Sequence, residues 1–209
     1  MMDKSIRENL KKALDLLADH MVLVRSNLAI IQGIQEQVDE NADYTIVMNQ
    51  SIAFWHMTFH NSWEEIAHTL SKVFDDHPNV ISIPAVIDMC EKNRHILEPV
   101  LIDINAKHDD SEDRVSDYSA MLQKLHQSYD NPTVLREKLK VIRNKQIAHS
   151  DKQIAFGNRE ALMLKRAEAE QLADLAENVI NTIAGSLFDT VYCTIFIMIF
   201  MWNKVIVKV

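Results

Sequence analysis

Glycine, proline and cysteine are scarce in this chain of 209 residues, which contains three glycines, four prolines and two cysteines. Because turns between strands depend on glycine and proline, this composition argues against a sheet-rich fold and favours a few long helices. The two cysteines, Cys90 and Cys193, lie too far apart in sequence to indicate a disulfide framework or a zinc site. No secretory signal opens the sequence, so we expect a cytoplasmic protein in a reducing compartment.

The chain also lacks an excess of positive charge, since its net charge is −8. This charge argues against a protein that coats nucleic acid without specificity. Residues 136–145 nevertheless hold five basic residues and one acidic residue, a net of +4, which leaves −12 for the rest of the chain. This basic island favours a phosphate-bearing ligand, whereas the alternative is an exposed helix face on which lysines are common. Its basic members are Arg136, Lys138, Lys140, Arg143 and Lys145.

The basic island runs into a short motif that begins with Arg143 and Asn144 and ends with His149. An arginine keeps its charge at all relevant pH values and can stabilise the negative charge that builds up on a phosphate in a transition state. An imidazole, with an ordinary pKa near ~6.5, can take or give a proton at neutral pH. Asn144 can orient either group. The motif therefore predicts chemistry on a phosphodiester.

The motif resembles the signature of the HEPN family, the higher eukaryotes and prokaryotes nucleotide-binding domains. That signature is an arginine, usually followed by Asn, Asp or His, and then a histidine after four to six intervening residues; here five intervene. The continuation 148–151, Ala-His-Ser-Asp, resembles the AbiU-type branch, which is associated with bacterial abortive infection. The resemblance covers roughly residues 40–185 and implies an up-and-down bundle of about four or five helices.

The resemblance also implies an activity, namely metal-independent cleavage of RNA in a composite cleft lined by the motifs of two chains in a homodimer. His149 would act as general base or general acid, Arg143 would clamp the scissile phosphate, and Asn144 would orient the phosphate or the imidazole. The product would carry a 2′,3′-cyclic phosphate, and DNA would survive because it lacks the 2′-hydroxyl. No cofactor or metal is expected. The candidate RNA-binding residues are Lys140, Lys145 and Arg136.

The same resemblance implies a toxin or antiphage-defence effector, with an antitoxin partner whose type stays open. Some family members carry a tyrosine two positions after the histidine, and a partner nucleotidyltransferase modifies it. In this chain Asp151 occupies that position, so the sequence does not predict silencing by that route.

The spacing of the motif leaves two geometries open. Residues six apart on a regular helix point about 120° away from each other, so Arg143 and His149 cannot share one face of a continuous helix. Either the helix ends near His149, or the motifs of two copies face each other. In the alternative function, a non-catalytic helical module binds a nucleotide or a protein, Arg143 forms a structural ion pair, for instance with Asp151, and His149 caps a helix end.

Apolar periodicity predicts an all-α fold, a helical bundle of long antiparallel helices with a short-helix insertion. We expect a single domain over 1–189 and an apolar C-terminal tail over 190–209. The predicted helices are one running toward Glu40, a second over 44–75, two short ones within 80–106 divided near Glu98 and Pro99, one over 114–128, a motif helix starting at Asn131, and a last long helix from about Arg159.

The tail contains an almost unbroken apolar run from Val191 to Trp202. As a helix this run would span ~18 Å, short of the ~30 Å hydrocarbon layer, so a membrane anchor is not favoured. Burial against the bundle or in a subunit interface is the preferred interpretation, and a strand is a further alternative. The abrupt change in composition suggests a divergent end that the family pattern does not cover.

A group of possible metal ligands lies on the second predicted helix, where three histidines and a glutamate recur at steps of four. Successive members are neighbours on a helix surface and could form a metal-binding face. The favoured interpretation is the polar flank of a packed helix, which leaves a metal-dependent enzyme as the third function considered. The residues are His56, His60, Glu64 and His68.

Overall fold

A computed structural model of the chain describes residues 2–40, 42–107, 115–131, 133–144 and 164–192. Within these ranges the secondary structure is eight α-helices without any strand, which confirms the predicted all-α bundle. The helices are α1 Met2–Glu40, α2 Ala42–Gln50, α3 Ile52–Val73, α4 Ile83–Lys92, α5 Arg94–Ala106, α6 Tyr118–Asp130, α7 Thr133–Ile142 and α8 Arg166–Phe188.

The core forms where α3 and α8 pack against α1. Apolar residues recur along α1 at alternating steps of four and three, which places them on one face, and all seven residues of that face are buried. α8 buries its own apolar face in the same core, as predicted. The seven buried residues of α1 are Leu10, Leu14, Leu17, Met21, Val24, Leu28 and Ile31.

The predicted second helix is wrong in one respect, because Ser51 divides it into α2 and α3. The backbone of Ser51 leaves helical geometry, with φ −134° and ψ 43°. The C-terminal half of α3 packs in the core through Ile66 and Leu70, as predicted, but Ile52 is 68 % exposed. In this segment the residues that follow the apolar periodicity are buried only from about the middle of α3 onward.

The insertion is divided at Asn93, not near Pro99 as predicted. The side-chain amide of Asn93 donates to the carbonyl oxygen of Met89 at 2.8 Å, which satisfies an acceptor at the end of α4. Pro99 lies inside α5, where a proline removes one helical N–H. The helix continues past it because Leu97 and Leu101, on either side, are both buried.

α8 begins at Arg166, later than the predicted start at Arg159, and residues 159–163 lie outside the described ranges. The carboxylate of Glu168 accepts from the backbone N–H of Lys165 at 2.7 Å, so the first turn is capped. At the other end, the Asn181 side chain accepts from the backbone N–H of Tyr192 at 2.7 Å and holds the chain against α8.

The apolar tail beyond Tyr192 lies outside the described residues, and the domain boundary at residue 189 stays a prediction. Among the helices that the structure describes, none combines the length and the apolar character needed to cross a bilayer.

Candidate active site at the end of helix α7

α7 carries the first part of the motif because its inward face is apolar and its outward face is basic. Leu139 and Ile142 are buried in the core, which fixes the orientation of the helix. Regular α geometry ends at Ile142, and residues 143–144 form a π-helical turn. Arg143 and Asn144 therefore stand at the end of α7, where a positive charge is favoured by the helix dipole.

Arg143 contacts a carboxylate on another helix end. Its Nη1 donates to Oδ2 of Asp75 at 2.6 Å, immediately beyond the C-terminus of α3. Its Nε donates to Oδ1 of the neighbouring Asn144 at 3.1 Å. The Arg143 side chain is 30 % exposed and that of Asp75 is 18 % exposed, so the ion pair is partly buried while one part of the guanidinium still faces solvent.

Two other cations of the basic island have acidic partners as well. The Lys140 ammonium donates to Oδ2 of Asp76 at 3.0 Å, and this hydrogen bond lowers the pKa of the Asp76 carboxyl and raises the pKa of Lys140. The Lys138 ammonium donates to Oε2 of Glu168 at 2.6 Å, and this contact lowers the pKa of the Glu168 carboxyl.

Arg136 has a different environment, because its guanidinium lies over an aromatic ring. The carbon atom of the guanidinium is 3.7 Å from the centre of the Tyr129 ring at the end of α6. Its Nη2 donates to the Thr133 hydroxyl at 3.3 Å. Its Nε is buried and has no hydrogen-bond partner within the described part of the chain.

The side chains of Arg136, Lys140 and Arg143 line one small cleft of about 50 Å³ between the ends of α3 and α6 and the outer face of α7. The described lining holds three basic side chains, those of Arg136, Lys140 and Arg143, and three acidic ones, those of Asp75, Asp76 and Glu137. The basic island favoured a phosphate-bearing ligand at this place, but the folded chain sets two carboxylates from the segment after α3 against it. The cleft is therefore mixed in charge.

Of the predicted site residues, the structure brings Arg136, Lys140 and Arg143 to one cleft, and Asn144 contacts Arg143 at the end of α7. Lys145 and His149 lie outside the described residues, as does Asp151. The predicted convergence of His149 with Arg143 therefore stays a prediction.

Sequence reasoning did not assign a role in the site to Asp75, Asp76 or Tyr129. The two aspartates were interpreted only as part of a helix-breaking segment. A signal was present, however, because carboxylates directly after a helix C-terminus are unfavourable beside its negative dipole end and call for nearby cations. The sequence could not identify those cations, since Asp75 and Arg143 are separated by 68 positions.

The histidine stripe on α3 does not form a metal centre in the structure. His60 and Glu64 approach to 3.3 Å, and the rings of His56 and His60 stack with centroids 6.4 Å apart. Among the described residues there is no group of three or more ligating side chains that could hold a metal ion. In the structure the stripe lies on a largely exposed flank of α3.

Comparison with known proteins identifies the family. The family model of the HEPN proteins of AbiU2 type matches residues 7–203. This match is wider than the predicted range of 40–185 and includes most of the apolar tail, so the expectation of a divergent end is wrong. No curated protein and no solved structure shows significant similarity to the chain. Because the family model covers nearly all of the sequence, the chain belongs to the AbiU2 family of HEPN abortive-infection proteins.

Proposed function

We propose that this protein is a metal-independent endoribonuclease that cleaves RNA through a composite site formed by Arg143, Asn144 and His149 of two chains. In this mechanism the His149 imidazole takes the proton of a ribose 2′-hydroxyl or protonates the leaving 5′-oxygen, and water accepts or supplies the proton in the other of these two transfers. The hydroxyl oxygen attacks the adjacent phosphorus, and the 5′-oxygen leaves as a hydroxyl group. Arg143 stabilises the charge on the phosphate oxygens during this step. The products are a 2′,3′-cyclic phosphate and a 5′-hydroxyl end.

One observation supports this proposal most strongly: in a chain of the HEPN family, the arginine of the family motif, Arg143, lines a cleft. An arginine has five N–H donors, and the contacts to Asp75 and Asn144 use two of them. As far as the described residues go, three donors remain for phosphate oxygens. Lys140, Arg136 and the neighbouring Lys145 are proposed contacts to the RNA backbone.

We further propose that the active form is a homodimer. The family resemblance implies a cleft lined by both motifs, and the six-residue spacing disfavours a site on one face of a single continuous helix. A biological role as a toxin or antiphage-defence effector follows from the family alone. We propose that an antitoxin or another factor restrains the protein, and its type stays open.

The ion pair between Arg143 and Asp75 favours a second candidate, a non-catalytic helical module in which Arg143 is structural. A partly buried guanidinium with a carboxylate at 2.6 Å is the arrangement that a structural arginine adopts. This candidate predicts binding of a nucleotide or protein without any change in RNA.

Incubation with RNA in excess chelator separates the candidates. We expect the purified protein to cleave a single-stranded RNA under these conditions and to leave 2′,3′-cyclic phosphate ends. A matched strand with one 2′-deoxynucleotide at the main cleavage position should resist cleavage at that linkage and at no other, because the nucleophile is missing there. Product ends can be identified by mass spectrometry.

Other results would contradict the proposal. Unchanged RNA under all conditions would favour the non-catalytic module. Cleavage that requires added metal would favour a metal-dependent enzyme, and cleavage at the 2′-deoxy linkage would show that another nucleophile is used.

A further inference from the structure

We propose that Asp75 is a positioning residue for Arg143, an inference that rests on the proposed ribonuclease function. Asp75 lies outside the motif and reaches it from the segment that follows α3. Its Oδ2 accepts from Nη1 of Arg143 at 2.6 Å, and the pair is partly buried. Asn144 accepts from Nε of the same guanidinium at 3.1 Å. Two acceptors on different atoms fix the plane of a guanidinium, whereas one contact would leave it free to rotate.

The number of N–H donors on the Arg143 guanidinium shows whether Asp75 only orients Arg143 or also prevents it from binding a phosphate. Asp75 and Asn144 use one donor at Nη1 and the donor at Nε, so within the described part of the chain both donors of Nη2 and the second donor of Nη1 remain. These are the groups that a phosphate would contact. Asp75 therefore orients Arg143 without using all of its N–H donors, and a phosphate does not have to displace the carboxylate.

The neighbouring residue Asp76 contacts a cation too, but it does not fix the orientation of that cation. Asp76 contacts Lys140 at 3.0 Å, but both side chains are largely exposed. An ammonium group on a flexible stem is a point charge whose donors rotate, so one exposed contact does not fix its direction. Asp76 therefore tunes local charge, while Asp75 sets the geometry of Arg143. The two residues form a matched pair, adjacent in sequence and identical in type.

This assignment has an electrostatic consequence. A carboxylate beside a phosphate site repels the substrate, so Asp75 should weaken the binding of RNA while it helps the chemical step. Neutralising Asp75 removes the repulsion and loosens the guanidinium at the same time. The two effects act on different kinetic constants and can be separated.

The test compares Asp75→Asn with Asp103→Asn in RNA cleavage at low ionic strength. We expect Asp75→Asn to lower kcat by about tenfold or more, because small misplacements of a catalytic group have large effects on rate. Its KM for RNA should stay equal or fall. Asp103→Asn, which breaks an exposed pair with Lys107 at 2.7 Å outside the cleft, should leave kcat within about twofold. Asp75→Glu, which keeps the charge and the acceptor, should recover part of the lost kcat.

A measurement independent of activity accompanies the kinetics. The Nε–H signal of Arg143 in an NMR spectrum, identified by its loss in Arg143→Lys, should be protected from exchange in the native protein. We expect the signal to broaden in Asp75→Asn and to persist in Asp76→Asn. Thermal melting of each variant confirms that it is folded.

The outcomes separate this inference from the proposed function. If the native protein cleaves RNA and Asp75→Asn keeps its kcat, the positioning role is overturned and the ribonuclease function stands. A rise in kcat would overturn it too, and would show that the carboxylate blocks Arg143. If the folded native protein leaves all RNA intact, both proposals fall together.

Discussion

Replacement of Arg143 or His149 by alanine is expected to reduce the rate of RNA cleavage by about a hundredfold or more in each case. Removal of a positioned proton donor or acceptor, or of a group that stabilises transition-state charge, has effects of this size. Arg143 contributes charge and direction, and His149 contributes the proton transfer, so neither can replace the other. Initial rates on a fluorescent RNA in excess chelator measure both variants.

Matched controls exclude a general effect of losing an arginine or a histidine. Arg166 pairs with Glu170 on the exposed face of α8 at 3.1 Å, and His126 pairs with Glu91 at 2.7 Å outside the cleft. Arg166→Ala and His126→Ala should keep the native rate. If Arg143→Ala and His149→Ala cleave RNA at the native rate while folded, the motif is not the catalytic site.

The largest expected effect on stability belongs to Arg25, which joins the middle of α1 to α8. Its guanidinium donates to both oxygens of Glu177, at 2.9 and 2.8 Å, and to Asp174. The side chains of Arg25 and Glu177 are 15 % and 16 % exposed, so solvent screens them weakly. The hydrogen bonds that Arg25 donates to Glu177 are the main reason that the pKa of Arg25 lies above its ordinary value.

Arg25→Ala removes the cation between two carboxylates on one face of α8, and we expect a loss of about 2–3 kcal/mol in the free energy of unfolding. For a chain of this size the melting temperature should fall by roughly 5–10 °C. Calorimetry or circular dichroism measures the shift.

The control for Arg25 is Lys92→Ala, which removes an exposed pair with Asp88 at 2.7 Å. It should change the melting temperature very little, because exposed helical pairs contribute about 0.3–0.5 kcal/mol. Replacing Arg25 and Glu177 together by methionine should recover part of the loss, since buried ion pairs are often replaceable by apolar residues. An Arg25→Ala protein as stable as Lys92→Ala would contradict the assigned role.

The parts of the fold that were predictable from sequence are the helices in which the spacing of apolar residues alone shows which face is buried. The apolar face of α1 and that of α8 follow from spacing alone, because any neighbouring helix would cover them. The break at Ser51 was not predictable, since the apolar pattern continues across it and only the structure shows that Ile52 is exposed. Pro99 suggested a boundary, yet burial on both sides keeps α5 continuous.

The candidate site shows the same division between local and distant information. Arg143 and Asn144 were identified because the motif is local. The carboxylates of Asp75 and Asp76 come from the segment that follows α3, so the sequence showed a basic island where the folded chain has a cleft of mixed charge. Charge counted along a sequence omits the partners that tertiary structure provides.

The most direct test of the composite site mixes two inactive chains. Arg143→Ala and His149→Ala proteins, each tagged differently and allowed to exchange subunits, would form mixed dimers with one intact pair of Arg143 from one chain and His149 from the other. If the site is shared between chains, the mixture should regain roughly a quarter of the native rate, because half of the dimers are mixed and each has one complete site. Mixed dimers that are isolated by both tags and leave RNA intact would contradict a site composed from two chains.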